Sequence, residues 1–127
     1  NSAPAYTGKG YALLCLDECR LDEALAACER AISLDSTYAP AHDRKAIVLG
    51  CLYRFEEALA AHEQAIHLVS YEARFHYNKG ATLEALGRYK EALAAYEQAI
   101  QLDPDEVRFL RKHAILTNIN AMNRLFI

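Results

Sequence analysis

Four cysteines and five histidines are the side chains here with the most chemistry to offer. Cys15, Cys19, Cys28 and Cys51 fall in the first half of the 127 residues, and His42, His62, His67, His76 and His113 are spread over the rest. A nucleophilic thiolate needs electropositive surroundings and a positioned base. Cys28 and His62, 34 residues apart, are the pairing that comes closest, and no orienting third group or oxyanion site accompanies them. Structural zinc wants four convergent ligands; Cys15 and Cys19 stand four apart, and their partners would have to come from distant elements. The spacing fits neither a disulfide scaffold nor paired Cys-x-x-Cys knuckles. The cysteines therefore read as reduced, small apolar fillers, with no metal, no cofactor and no catalytic residue expected.

The elements that position these groups come from a repeated phrase. Glu23 to Leu34, Glu57 to Leu68 and Glu91 to Leu102 are near copies, and their starts lie 34 residues apart. A fixed period of that size signals stacked supersecondary units. Cys28, His62 and Tyr96 hold one register position within it, which makes His62 a packing residue between helices. His42 and His76 match Tyr6, His67 matches Ser33 and Gln101 on a solvated face, and His113 stands among basic residues. Glu23, Glu29, Glu57, Glu63, Glu91 and Glu97 recur with the period and read as a solvated helix face rather than as paired catalytic carboxylates.

Along the chain, helical pattern covers about residues 4–16, 21–34, 39–52, 55–68, 72–86, 89–102 and 105–123. Pro4 and Pro40 suit first turns, Gly87 suits a helix C-terminus, and Asp105 and Glu106 suit the start of the last helix through the macrodipole. Phe109, Leu110, Ile115, Leu116, Ile119 and Met122 keep one side of that last helix largely apolar. Connections this short pack each helix antiparallel on the one before. Small residues recur where backbones must cross closely: Gly10, Ala46 and Gly80 in the first helix of each pair, and Ala24, Ala58 and Ala92 in the second. Ala31, Ala65 and Ala99 form a third small set facing the next pair. Leu25, Leu59 and Leu93, with Ile32, Ile66 and Ile100 and with Leu34, Leu68 and Leu102, are expected to fill between them.

Tyr77-Asn78-Lys79-Gly80, Leu86-Gly87-Arg88-Tyr89, Ala92, Tyr96, Ala99 and Leu102-Asp103-Pro104 resemble a nearly full tetratricopeptide (TPR) repeat. The resemblance implies an all-α fold, an α-solenoid or right-handed superhelix. It has three helix-turn-helix repeats, at about 3–38, 39–72 and 73–106, and a C-terminal capping helix at about 105–123, in one domain over 1–127. The first repeat departs by two extra residues, most simply Asp17-Glu18, and the second has Val69-Ser70 where Asp103-Pro104 closes the third.

In this family the first helices line a concave groove. The resemblance places Thr7, Tyr11, Leu14 and Cys15 on that face, then Asp43, Arg44, Ile47 and Cys51, then Arg74, Tyr77, Asn78 and Ala81. Arg108, Arg111, Lys112 and Ile115 follow from the last helix. Tyr11, Arg44, Ile47, Arg74, Tyr77, Asn78, Arg108, Arg111 and Lys112 are the candidate peptide-binding residues. Guanidinium groups pair bidentately with carboxylates, so the expected ligand is a peptide with an acidic group or a free C-terminus; the alternative is that these are ordinary solvated cations. Some TPR proteins grip chaperone C-termini through a Lys, Asn, Asn, Lys, Arg clamp. Here Thr7, Tyr11 and Arg44 occupy its first three places, which rules that clamp out.

A net charge of −3 gives no overall basicity for nucleic acid, and no apolar run reaches the roughly 18 residues of a membrane span. The expectation is a cytoplasmic protein–protein interaction module, a scaffold or adaptor and not an enzyme. Asn1-Ser2-Ala3-Pro4 has neither an initiator Met nor a signal pattern and reads as the start of an excised segment. Two alternatives stand beside it: self-association as a homodimer through the last helix with Leu125-Phe126-Ile127, and a regulatory domain of a larger enzyme.

Overall fold

The computed structural model describes residues 20–125. Six helices lie there: α1 (Leu21–Leu34), α2 (Ala39–Cys51), α3 (Phe55–Leu68), α4 (Ala73–Ala85), α5 (Tyr89–Leu102) and α6 (Val107–Leu125). No strand occurs among the described residues, and the fold is an all-α helical repeat. The expected helix over 4–16, with Gly10, Tyr11, Cys15 and Cys19 around it, falls outside the described residues. Two compact units part between Ser70 and Tyr71, with α1–α3 in the first and α4–α6 in the second.

The helices begin and end by repeated local devices. Arg54 and Arg88 stand at the N-caps of α3 and α5, and each guanidinium grips the carboxylate three residues on. Arg54 donates to Glu57 at 3.1 and 2.6 Å, and Arg88 to Glu91 at 3.0 and 2.6 Å. Both pairs are solvent-exposed, so they tie down a first turn without adding much stability. At the far ends of α1, α3 and α5 the backbone N–H of Asp35, Val69 and Asp103 returns to Ala31, Ala65 and Ala99. The turns after α2 and α4 need a left-handed residue at one register position. Gly87 supplies it at φ 75°, while Tyr53 adopts φ 61° in its place, a conformation that costs an L-residue about 1 kcal/mol or more.

The last helix starts two residues later than its acidic pair suggests. Asp105 and Glu106 precede α6, and the Glu106 carboxylate accepts the backbone N–H of Arg108 at 3.2 Å, acting as a cap rather than as a first-turn residue. Leu34 and Leu102, expected in the core, are 42% and 36% exposed. Each is the final residue of its helix, past the last turn that meets a neighbour.

Inside the first unit, Ala24 and Cys28 of α1 meet Val48 of α2, and Ala31 meets Ala41. Ala46 and Leu49 of α2 pack on Ala58 and Ala61 of α3. In the second unit Ala73, Ala99 and Phe109 form one cluster with Tyr77 and Ile100 against it. The alanines are small for a geometric reason, visible most directly at Gly80. A Cβ built there would lie 2.5 Å from Cε1 and 2.7 Å from Cδ1 of Tyr96, and Tyr96 is wholly buried. The equivalent positions one repeat earlier are Ala46 and His62, one methyl more on one side and a smaller ring on the other.

Gly80→Ala is therefore expected to destabilise the chain by about 1 to 3 kcal/mol through overpacking, measured by urea denaturation. Combining it with Tyr96→His should cost less than the sum of the two single changes. Strict additivity would show that the two residues do not share the space.

Candidate functional site

The candidate residues in the second unit sit on two helix faces that meet. Arg74, Tyr77 and Asn78 lie three and four apart on α4, and Arg108, Arg111 and Lys112 repeat that spacing on α6, so each trio shares one side of its helix. The Tyr77 ring is held between Tyr96, 5.5 Å away, and Phe109, 4.9 Å away. The Arg108 guanidinium lies 6.0 Å over Tyr77 and 5.8 Å over Phe109, a cation–π arrangement that joins the two faces. Arg74 lies 5.8 Å over the ring of Phe75.

These cations are not equivalent. Lys112 Nζ is 3.2 Å from Glu84 Oε1, the same oxygen that accepts the Tyr96 hydroxyl at 2.9 Å. Burial first, and then the hydrogen bond to Glu84, push the Tyr96 hydroxyl far above the usual phenol range, so it stays a donor. Lys112 thus serves an internal charge. Arg108 reaches Glu106 at 3.2 Å, and its backbone N–H, then its side chain, hold that carboxyl below the usual range. Arg74 and Arg111 are exposed.

In the first unit Arg44 and Ile47 are half-buried on α2; Tyr11 lies outside the described residues. Asp43, expected on the groove face, is instead 1% exposed, with Oδ1 3.2 Å from Nδ1 of His62, itself 1% exposed. Asp43 and His62 stand where the second unit has Tyr77 and Tyr96, so a buried polar pair replaces a ring pair. His113, expected to stand alone, is 3.2 Å from Glu97, and His42 Nε2 is 2.9 Å from the Ser36 carbonyl.

The repeat geometry is now explicit, and residues 73–106 match the family described as tetratricopeptide repeat. The chain is a tetratricopeptide-repeat protein. No curated protein sequence matches it, whereas many solved structures do. The first TPR domain of human RPAP3 is similar at a TM-score of 0.89 and 20% identity, over 96% of this chain and 94% of that one. The first TPR of Spaghetti (RPAP3) bound to the HSP90 peptide SRMEEVD gives 0.85 and 20%, over 94% and 93%. The Sgt2 TPR domain from Aspergillus fumigatus gives 0.86 and 18%, over 96% and 82%. At these identities the likeness is one of fold.

Within this TPR fold the thiol–imidazole pair has no nucleophile to offer. Cys28 is fully buried, and burial pushes its thiol up to about 11, with Arg44 pulling the other way less strongly; His62 is committed to Asp43. Among the described residues no group of histidine, cysteine and carboxylate side chains could hold a metal ion, and no helix is long and apolar enough to cross a membrane.

The raised Cys28 value carries a linkage consequence. Above pH 9 the unfolded thiol ionises while the folded one keeps its proton, so stability is full below pH 9 and falls as pH rises toward about 11. The loss attributable to this group is about 2 to 3 kcal/mol. Cys28→Ala should flatten that part of the alkaline stability profile in denaturant titrations. An unchanged slope would remove Cys28 as its source.

Proposed function

We propose that this chain is a protein–protein interaction domain whose second unit binds an acidic peptide segment of another protein across α4 and α6. One observation carries the reading: Arg108, stacked on Tyr77 and Phe109, brings the face of α4 holding Arg74 and Asn78 against the face of α6 holding Arg111. A guanidinium over an aromatic face keeps its in-plane N–H groups for a carboxylate. The two aromatic rings give a peptide side chain something apolar to lie on. In an acidic chain, this is a local excess of cationic side chains.

A TPR of the same fold is bound to SRMEEVD, a sequence with three acidic residues, which supports an acidic segment as the ligand class here. Thr7, Tyr11 and Arg44 differ from the chaperone clamp, so recognition rests instead on Arg74, Arg108 and Arg111. A scaffold or adaptor role in the cytoplasm, without chemistry of its own, belongs to the same reading. Fluorescence titration with SRMEEVD and with its amide counterpart SRMQQVN tests it. Arg74→Glu and Arg111→Glu should each weaken the acidic peptide about tenfold or more, and the amide peptide should bind poorly throughout. Equal affinity of wild type and both variants would sink the reading.

A second reading, self-association through α6, is favoured by the outer side of that helix. Val107, Leu110, Ile115, Met122 and Leu125 are 45–81% exposed, a contiguous apolar load of the kind that marks interaction surfaces. Light scattering over a concentration series separates the readings: a mass that doubles with concentration supports self-association, and a constant monomer mass removes it.

A further inference from the structure

The two units carry the same surface groove. In the first it lies between α2 and α3 with a volume of about 370 Å³, and in the second between α4 and α5 with about 300 Å³. One wall is His42, Lys45 and Leu49 in the first groove and His76, Lys79 and Leu83 in the second. The opposite wall is Glu57, Ala60, Ala61 and Gln64, repeated as Glu91, Ala94, Ala95 and Gln98. Each residue has its own type again 34 positions on.

The agreement on the second helices follows from their near identity. On the first helices it does not. Over their 13 residues α2 and α4 share just four residues in register, Ala39/Ala73, His42/His76, Lys45/Lys79 and Leu49/Leu83, and the last three pairs line the groove. Leu49 and Leu83 are buried floor residues, and packing accounts for them. The histidines and lysines are half-buried rim residues, at positions where packing alone accepts many side chains.

The rim is chemically one-sided. Glu57 and Glu91 have both oxygens occupied by the guanidinium of Arg54 and Arg88, so their capacity as acceptors is largely filled. The lysine ammonium has three N–H groups and the glutamine amide two. Lys45 and Lys79 already sense Glu57 and Glu91 across the groove, and each retains donors for a further acceptor. A floor of Leu and Ala runs beneath for about two helical turns, roughly 10 Å, longer than a lone carboxylate fills.

We infer that each groove is a docking site for an acidic side chain of a partner protein, its carboxylate on the Lys and Gln donors and its flanking apolar residues on the Leu–Ala floor. The chain then has two such sites of the same composition, both separate from the α4–α6 face. The first is the weaker, because Arg54 also faces Glu29 and Asp22 of α1.

The test is an NMR titration of the isotopically labelled chain with the capped peptide Ac-Leu-Ala-Glu-Leu-Ala-NH2, following the ring C–H signals of His42 and His76 and the amides of Ala61 and Ala95. Saturable shifts are expected at both grooves. Lys79→Gln should weaken binding about tenfold at His76 and leave His42 unchanged, and Lys45→Gln should do the reverse; the untouched groove reports that each variant is folded. The Gln counterpart peptide and sodium acetate are the controls. Absence of saturable shifts, equal binding of the Gln peptide, equal response to acetate, or a single Lys change that moves both grooves alike would each overturn the inference. Arg74→Glu and Arg111→Glu should leave these shifts in place, which separates this result from failure of the α4–α6 reading.

Discussion

The second unit depends on how closely α4 approaches α5 at Gly80. No side chain is tolerated there because the ring of Tyr96 already occupies the space, and a buried phenol brings a hydroxyl that must be satisfied. Glu84, one turn along α4, accepts it, and the charge of Glu84 is met in turn by Lys112 of α6. A packing constraint between two helices thereby becomes an electrostatic tie to a third. The same Tyr96 ring backs Tyr77, which is wedged against Phe109 and offers its face to Arg108. The cationic face on α4 and α6 is thus a downstream result of one missing methyl group.

The first unit meets the same geometric demand by other chemistry. Ala46 takes back the methyl, His62 gives up ring volume, and the place of Tyr77 goes to Asp43, which the imidazole reaches in a site closed to water. Neither Asp43 nor His62 is independent of the other. Removing either partner of a buried pair leaves a polar group without its match, and that costs more than the pair contributes. The residues at 43, 46 and 62 therefore form a set, as do those at 77, 80 and 96. Moving one member alone between repeats mixes incompatible solutions.

This coupling also marks how far the amino-acid pattern could be read. Helices α1, α3 and α5 were legible to the residue at both ends, because the repeated Arg-x-x-Glu start and the Ala that receives the C-terminal N–H recur in register. Asp43 was misplaced because spacing alone assigns it to the groove face, as it does Tyr77. What draws it inward is a partner 19 residues on, and the visible signal was that positions 43 and 62 abandon aromatic residues in the same repeat. Leu34 and Leu102 were misread because periodicity continues through the last turn of a helix although the neighbouring helix does not. The cation–π seat of Arg108 and the engagement of Lys112 by Glu84 were beyond reach, since both depend on contacts between helices. The paired grooves left a trace that was readable, His, Lys and Leu unchanged along first helices that otherwise differ, and it gains meaning once α3 and α5 are known to supply the opposite wall.

The two helix faces of a repeat thus answer to different constraints. On α2 and α4 the positions toward the expected peptide face differ at every step: Asp43 against Tyr77, Arg44 against Asn78, Ile47 against Ala81, Cys51 against Ala85. The positions toward α3 and α5 keep His, Lys and Leu. Packing explains the leucines, and an ion pair with the glutamate across the groove gives the lysines some structural use, but an exposed pair of that kind contributes little stability. It is shared, moreover, with an arginine that already grips the same carboxylate at 2.6 Å. Charge balance at Glu57 and Glu91 is met without the lysines, so their retention, and that of the histidines beside them, calls for a second acceptor that the chain itself does not supply.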